Sequence, residues 1–177
     1  MAVGCKTRLT EATMLFFAIV CMSLALHEVV HASDYQEMKM QGDIYPNSCG
    51  ADQKNALWEA VNKAKVPNDQ QALKLIDLIL CAPDTKENRK ALMTSFGKIV
   101  REEVESTGDD PRIKTIVVTE ELVASTMAFG RVCNTNLLAA KKKISLQYFV
   151  NEACVKRTKL VYSHSRWIIY EIGEACD

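Results

Sequence analysis

The histidines of this chain provide few candidates for a catalytic or metal-binding site. Of its three histidines, His27 and His31 lie in the first 32 residues, which have the features of an export signal, and this leaves His164 alone. A zinc site built on two or three histidines is therefore excluded within one mature chain. A Ser–His or Cys–His dyad would have to use His164. Because His164 stands between two serines in a predicted turn, we interpret it as a solvated polar residue.

Carboxylates form one cluster in the sequence. Five of them fall within nine residues: Glu102, Glu103, Glu105, Asp109 and Asp110. A pair of carboxylates can hydrolyse a glycoside, and several can hold a calcium ion. Arg101 and Arg112 flank the cluster, which favours a solvated face over either site. The chain also lacks G-x-S-x-G, H-E-x-x-H, the P-loop and the EF-hand loop, so we predict no catalytic residue, no metal and no cofactor.

Cysteine spacing indicates disulfides. Beyond the first 32 residues there are five cysteines: Cys49, Cys81, Cys133, Cys154 and Cys176. No C-x-x-C occurs, which argues against a redox pair or a zinc knuckle. We expect two disulfides and one remaining thiol, with Cys49 and Cys176 as the first pairing to test because chain ends often meet. Cys81 and Cys154 lie in apolar helical patterns, so the remaining thiol is expected to be buried.

The charge distribution is the most informative functional signal. Between Leu122 and Tyr170 there are eight basic residues and one acid, Glu152, although the whole chain has no net charge. Such a segment either pairs loosely with the acidic first half or docks an acidic partner, with electrostatics steering the encounter. The candidate binding residues are Lys141, Lys142, Lys143, Lys156, Arg157, Lys159 and Arg166.

The first 32 residues resemble a cleaved export signal. Lys6 and Arg8 precede thirteen uncharged residues, 14–26, and Val30-His31-Ala32 suits a signal peptidase. The apolar stretch is short for a membrane span. We therefore predict a signal peptide at 1–32, a single mature domain at 33–177 and a secreted or periplasmic location, with no integral membrane span after cleavage. Export permits disulfides and makes nucleic acid a poor partner.

The elements that position these residues are predicted to be helical. Seven glycines and four prolines are few for a sandwich or barrel of this size. Apolar residues at helical spacing predict helices over 52–65, 68–82, 84–108, 111–132 and 137–162. Within the fourth, residues 112–118 are rich in β-branched side chains and could form a strand instead. Residues 159–172 either continue the last helix or form a hairpin turning at 163–165. The expected fold class is mainly α, a disulfide-stabilised bundle of about five helices with a possible short C-terminal β-hairpin.

Function is predicted from the surface, since no catalytic group was found. The first hypothesis is an exported, non-enzymatic protein-binding module, such as an envelope inhibitor, an immunity protein or an accessory factor of a secretion or surface assembly. A carrier of a small apolar ligand is the alternative, and a carboxylate-dependent hydrolase ranks last. The absence of an N-x-S/T sequon favours a bacterial envelope.

Overall fold

The structure is a computed structural model that describes residues 35–44, 49–104, 112–128, 132–149 and 154–176. The predicted signal peptide lies outside the described residues, as do Glu105, Asp109 and Asp110 of the carboxylate cluster. The described residues belong to one compact unit that begins at Tyr35.

Four helices and seven strands make up this unit. In chain order they are β1 (Gln36–Ile44), α1 (Ala51–Lys63), α2 (Asp69–Leu80), α3 (Lys86–Met93), β2 (Phe96–Val104), β3 (Arg112–Ile116), α4 (Glu120–Thr126), β4 (Val132–Ala140), β5 (Lys143–Phe149), β6 (Cys154–Ser163) and β7 (Arg166–Cys176).

All seven strands form one mixed sheet in the order β1-β4-β5-β6-β7-β2-β3. Strands β4 to β7 run as an antiparallel meander, and β1 adds to one side of it, antiparallel to β4. On the other side β2 lies parallel to β7, and β3 forms an antiparallel edge strand on β2. Strands distant in sequence are thus neighbours in the sheet.

Alternation along the strands gives the sheet two different sides. Ile144, Leu146 and Tyr148 of β5 are buried, as are Leu160 of β6 and Trp167 of β7. These side chains join one core with residues of all four helices. We call this the helix side of the sheet and the opposite one the outer side. The residues that alternate with these buried residues along the strands include most of the charged residues of the sheet. Their side chains point to the outer side.

The predicted helical bundle is wrong. Helices α1 and α2 occur where the sequence predicts them, but the third predicted helix ends at Met93 and is followed by β2. The fourth divides into β3, α4 and the start of β4. The fifth is replaced by β4, β5 and β6. For residues 159–172 the structure has the hairpin, with β6 and β7 joined by a turn at His164 and Ser165.

The reason for this error is visible in β5. Its first six residues, KISLQY, alternate between polar and apolar side chains, and the burial of Ile144, Leu146 and Tyr148 follows that period of two. So short an alternation also fits part of a loose helical stripe when it is considered alone. Pairing with β4 on one side and β6 on the other decides the conformation, and these partners are not local.

Two disulfides are formed, Cys49–Cys81 and Cys154–Cys176. The first joins the segment before α1 to the residue that follows α2, so both helices are held by it. The second joins directly opposed residues of β6 and β7. The proposed Cys49–Cys176 pairing is therefore wrong, and so is the expectation of a free thiol at Cys81 or Cys154. Cys133 belongs to neither disulfide. Its backbone lies in β4, and its side chain lies outside the described part of the structure.

Candidate functional site

Four of the predicted basic residues meet at one end of the sheet. Lys141 and Lys142 form the turn between β4 and β5, and Lys143 begins β5 opposite Val161 of β6. The amide N–H of Tyr162 donates to the carbonyl of Lys142 at 2.9 Å, which places this turn beside the end of β6. Arg166 then begins β7 directly after the adjacent turn. The meander therefore brings residues 141–143 and 166 to the same end.

The loop between α1 and α2 lies against the start of β7, next to the second of these turns. The indole N–H of Trp167 donates to the carbonyl of Pro67 at 2.6 Å, and the backbone N–H of Trp167 donates to Oε1 of Gln71 at 2.9 Å. Lys65, exposed and with φ of 50°, stands two residues before Pro67 in that loop. We use the name turn end for the surface formed by Lys65, Lys141, Lys142, Lys143 and Arg166.

The cations of the turn end are not neutralised by any carboxylate of the described residues. All five residues are exposed, and in the described part of the chain none of them has a carboxylate within 4.0 Å. Arg166 makes a long hydrogen bond of 3.4 Å from Nη1 to the carbonyl of Thr94. Five clustered positive charges without counterions produce a local field that a net charge of zero conceals.

The β6–β7 turn has a defined backbone. His164 and Ser165 both adopt positive φ, at 51° and 62°, as a two-residue hairpin turn of the primed type requires. Ser163 Oγ lies 2.8 Å from Nδ1 of His164. This Ser–His contact joins neighbouring residues in an exposed turn. His164 also adds a polar side chain to the turn end.

The other three predicted binding residues have partners inside the fold. Arg157 and Lys159 point to the outer side of β6: Arg157 Nη1 donates to Oε2 of Glu103 at 2.9 Å, and Lys159 donates to the carboxylate of Glu171. Lys156 points to the helix side, where its Nζ donates to the carbonyl of Ser125 at 2.6 Å and its side chain is only 14% exposed. The basic residues predicted as one binding segment are thus divided among three places: the helix side of β6, the outer side of β6 and the turn end.

Glu171 is the centre of the charge network on the outer side. Its side chain lies on the outer side of the sheet, yet it is only 6% exposed, and it pairs with Lys159 of β6. Arg101 of β2 approaches its other oxygen at 3.9 Å. A carboxylate with so little access to water requires such partners, since an unpaired buried charge is costly. These groups therefore hold β6, β7 and β2 together and are not free to bind a partner.

A small polar pocket lies under α4 on the helix side. Its volume is about 60 Å³, and Ser125, Thr126, Tyr148, Lys156 and Thr158 are among its lining residues. Tyr148 Oη donates to the carbonyl of Thr126 at 2.6 Å. Burial raises the pKa of Tyr148 far above its ordinary value, and the hydrogen bond with Thr158 opposes this only in part. Such a space admits a few waters and does not suit an apolar ligand.

The two described members of the carboxylate cluster point to opposite sides of strand β2. Glu102 and Glu103 are neighbours in β2, yet Glu102 pairs with Lys114 at 2.7 Å and Glu103 pairs with Arg157 on the other side. Among the described residues one group has metal-ligand spacing, formed by Cys154, Glu174 and Cys176 within 4.8 Å. Both of its cysteines are joined in a disulfide, so the sulfur atoms are not available as thiolates.

The sequence analysis missed Lys65 as a member of the turn end. Its only local signal is the Val66-Pro67 break that follows it, which predicts a turn but not its neighbours. Among the described helices, none has both the length and the hydropathy to cross a membrane. Comparison of the chain with protein-family models, with curated protein sequences and with solved structures gave no match.

Proposed function

We propose that this protein is an exported, non-enzymatic binding protein that docks the acidic surface of another protein through its turn end. Inhibitors, immunity proteins and accessory factors of an envelope or surface assembly are of this kind. The observation that carries the proposal is the convergence of five exposed cations from three separate turns, none with a carboxylate partner among the described residues. Uncompensated charge of one sign attracts a partner of the other sign and accelerates its association.

Rigid anchoring supports the same proposal. The turn end is held by hydrogen bonds from Trp167 to Pro67 and Gln71 and by the pairing of β5 with β6. A surface that is ordered before binding loses little conformational entropy when a partner arrives. Binding on such a surface requires no reactive group, in keeping with the few catalytic side chains of the sequence.

The disulfides and the predicted signal support the proposed compartment. Two disulfides within one chain fit an oxidising environment. Together with the predicted signal at 1–32, they support a secreted or periplasmic location. The carrier alternative receives less support, because the pocket under α4 is small and polar and the larger grooves beside α1 and α2 are open to solvent. The separation of Glu102 from Glu103 disfavours the hydrolase.

Site-specific photocrosslinking tests the proposal in the compartment to which the protein is exported. A photoreactive amino acid replaces Lys142 at the turn end or, as a control, Lys114 on the edge strand β3, and the covalent product is isolated and identified. We expect one acidic protein to crosslink from position 142 and not from position 114. Equal yields from both positions, or crosslinks only to unrelated abundant proteins, would contradict the proposal.

Charge reversal then measures the contribution of the turn end. The K141E/K142E/K143E variant should bind the identified partner about ten- to a hundredfold more slowly at low salt, and the difference should shrink as salt is added. The K74E/K86E/K90E variant has the same change in net charge at exposed helix lysines that, among the described residues, also have no carboxylate partner, and it serves as the matched control. An unchanged association rate for the first variant, or an equal loss for both, would remove the turn end as the docking surface.

A further inference from the structure

A second surface of the protein carries an exposed aromatic side chain. Trp58 lies in α1, and half of its surface (50%) is accessible to solvent, whereas its neighbours Leu57, Ala60 and Val61 are buried in the core. Burial of a tryptophan side chain away from water has a large favourable free energy, and an exposed tryptophan does not gain it. Trp58 is therefore a candidate contact for a ligand, and its surroundings indicate which kind.

Trp58 forms one wall of a groove between α1 and α2. The groove has a volume of about 420 Å³ and is lined by Lys54, Asn55, Leu57, Trp58, Leu73, Lys74 and Asp77. A second groove of about 500 Å³ shares Lys54, Lys74 and Asp77 with it and reaches the Cys49–Cys81 disulfide and Asn88. The two grooves are adjacent and open to solvent.

The groove has little conformational freedom. Lys54 and Asp77 form an ion pair of 3.0 Å across the two helices, and the Cys49–Cys81 disulfide joins the segment before α1 to the end of α2. A ligand therefore meets walls that are already in place, which reduces the entropy lost on binding.

The chemistry of the walls favours a sugar over a peptide. A pyranose ring has one face of C–H groups, which stacks on an indole, and hydroxyls at its edge, which need donors and acceptors. Trp58 supplies the aromatic face, and Asn55 and Asp77 supply polar groups beside it. The exposed apolar surface is essentially one indole, which is too small for the desolvated centre of a protein interface.

The charges of the groove specify the sugar further. Asp77 is paired with Lys54, whereas Lys74 is exposed and has no carboxylate partner in the part of the chain that the structure describes. An ammonium group in this position pairs with a ligand carboxylate. We propose that the α1–α2 groove binds an oligosaccharide that contains uronic acid residues, with one ring stacked on Trp58 and a carboxylate on Lys74.

Tryptophan fluorescence tests this inference directly, with tetragalacturonic acid as the probe. The chain has two tryptophans, and Trp167 is fully buried, so quenching by acrylamide reports Trp58. Saturation with the probe should lower the quenching constant at least twofold. Neutral cellotetraose should protect Trp58 much less, and hexaglutamate should not protect it. Absence of protection by tetragalacturonic acid, equal protection by cellotetraose, or equal protection by hexaglutamate would each overturn the proposal.

Variants are compared by calorimetry, because a change at Trp58 removes the fluorescent reporter. We expect W58A to weaken tetragalacturonate binding at least about tenfold, W58F to retain part of it, and K74A to weaken it about three- to fivefold. K98A, at an exposed lysine of β2 that lines neither groove, is the matched control for K74A. If K98A weakens binding as much as K74A does, the placement of the carboxylate on Lys74 is wrong.

The turn end and the groove share no residue, so their failures can be distinguished. The K141E/K142E/K143E variant should bind tetragalacturonate as tightly as the unaltered protein. Loss of sugar binding in that variant would mean that the sugar occupies the turn end, which contradicts the groove site whatever the outcome of the crosslinking experiment.

Discussion

Trp167 and Pro67 are 100 residues apart in the sequence and are joined by a hydrogen bond of 2.6 Å from the indole N–H to the backbone carbonyl. This contact fastens the β6–β7 hairpin to the loop between α1 and α2. Trp167 is completely buried and packs its ring against Tyr162, with 5.5 Å between ring centroids. One side chain therefore serves the core and also positions the turn end.

Replacement of Trp167 by Phe should destabilise the protein by about 2 kcal/mol. The variant leaves the Pro67 carbonyl without its donor and creates a small cavity. Urea unfolding measures the free energy of unfolding for both proteins. The matched change W58F, at the half-exposed tryptophan, should stay within about 0.5 kcal/mol. A loss as large for W58F as for W167F would contradict this assignment of the two side chains.

The ion pair of Lys159 and Glu171 should show strong energetic coupling. K159M leaves the Glu171 carboxylate, 6% exposed, with only the distant Arg101 as a counter-charge, and should cost about 2 kcal/mol, since an uncompensated buried charge costs more than a lost surface pair. The K159M/E171L double variant should recover part of that loss. A double-mutant cycle from urea unfolding measures the coupling. Additive effects of the two changes would show that the pair does not interact in solution.

Tyr148 should make the protein less stable at high pH. Its pKa is raised by burial, so the unfolded chain releases this proton at a lower pH than the folded protein does. The stabilisation is complete below the ordinary tyrosine pKa, near 10, and declines as pH rises above that value. Absorbance at 295 nm should show one of the five tyrosines failing to ionise until the protein unfolds.

The Y148F variant supplies the control for this pH dependence. It should lose about 1–2 kcal/mol at pH 7, because the Thr126 carbonyl loses its donor. Its stability should decline less steeply above pH 10 than that of the unaltered protein. The same slope in both proteins would mean that another group causes the alkaline loss.

Peptide mapping without reduction should yield the pairs Cys49–Cys81 and Cys154–Cys176. Each disulfide restricts the unfolded chain, and separations of 32 and 22 residues correspond to about 3–4 kcal/mol apiece. The C49A/C81A variant should therefore unfold at lower urea concentration than the intact protein and loosen α1 and α2. Recovery of a peptide that contains Cys49 joined to Cys176 would contradict the structure.

The sequence alone determined the parts of this protein that depend on neighbouring residues. The apolar stripes of residues 52–65 and 68–82, with the proline break between them, predicted α1 and α2, because a helix satisfies its backbone hydrogen bonds within its own segment. The cysteine spacing and the predicted export signal likewise led to the expectation of disulfides. The hairpin alternative at 159–172 followed from local residue types, in this case aromatic and β-branched side chains around a short polar turn.

The tertiary structure alone decided the sheet, and with it the candidate sites. The alternation of β5 is a local sign of a strand, but a strand obtains its hydrogen bonds from other strands, and spacing along the chain does not show that its partners are β4 and β6. Alternation along β6 then directed Lys156 inward and Arg157 and Lys159 to carboxylates on β2 and β7, which removed them from the predicted basic surface. The loop that carries Lys65 lies against the start of β7 because Trp167 hydrogen-bonds to Pro67, a contact that spacing along the chain does not encode.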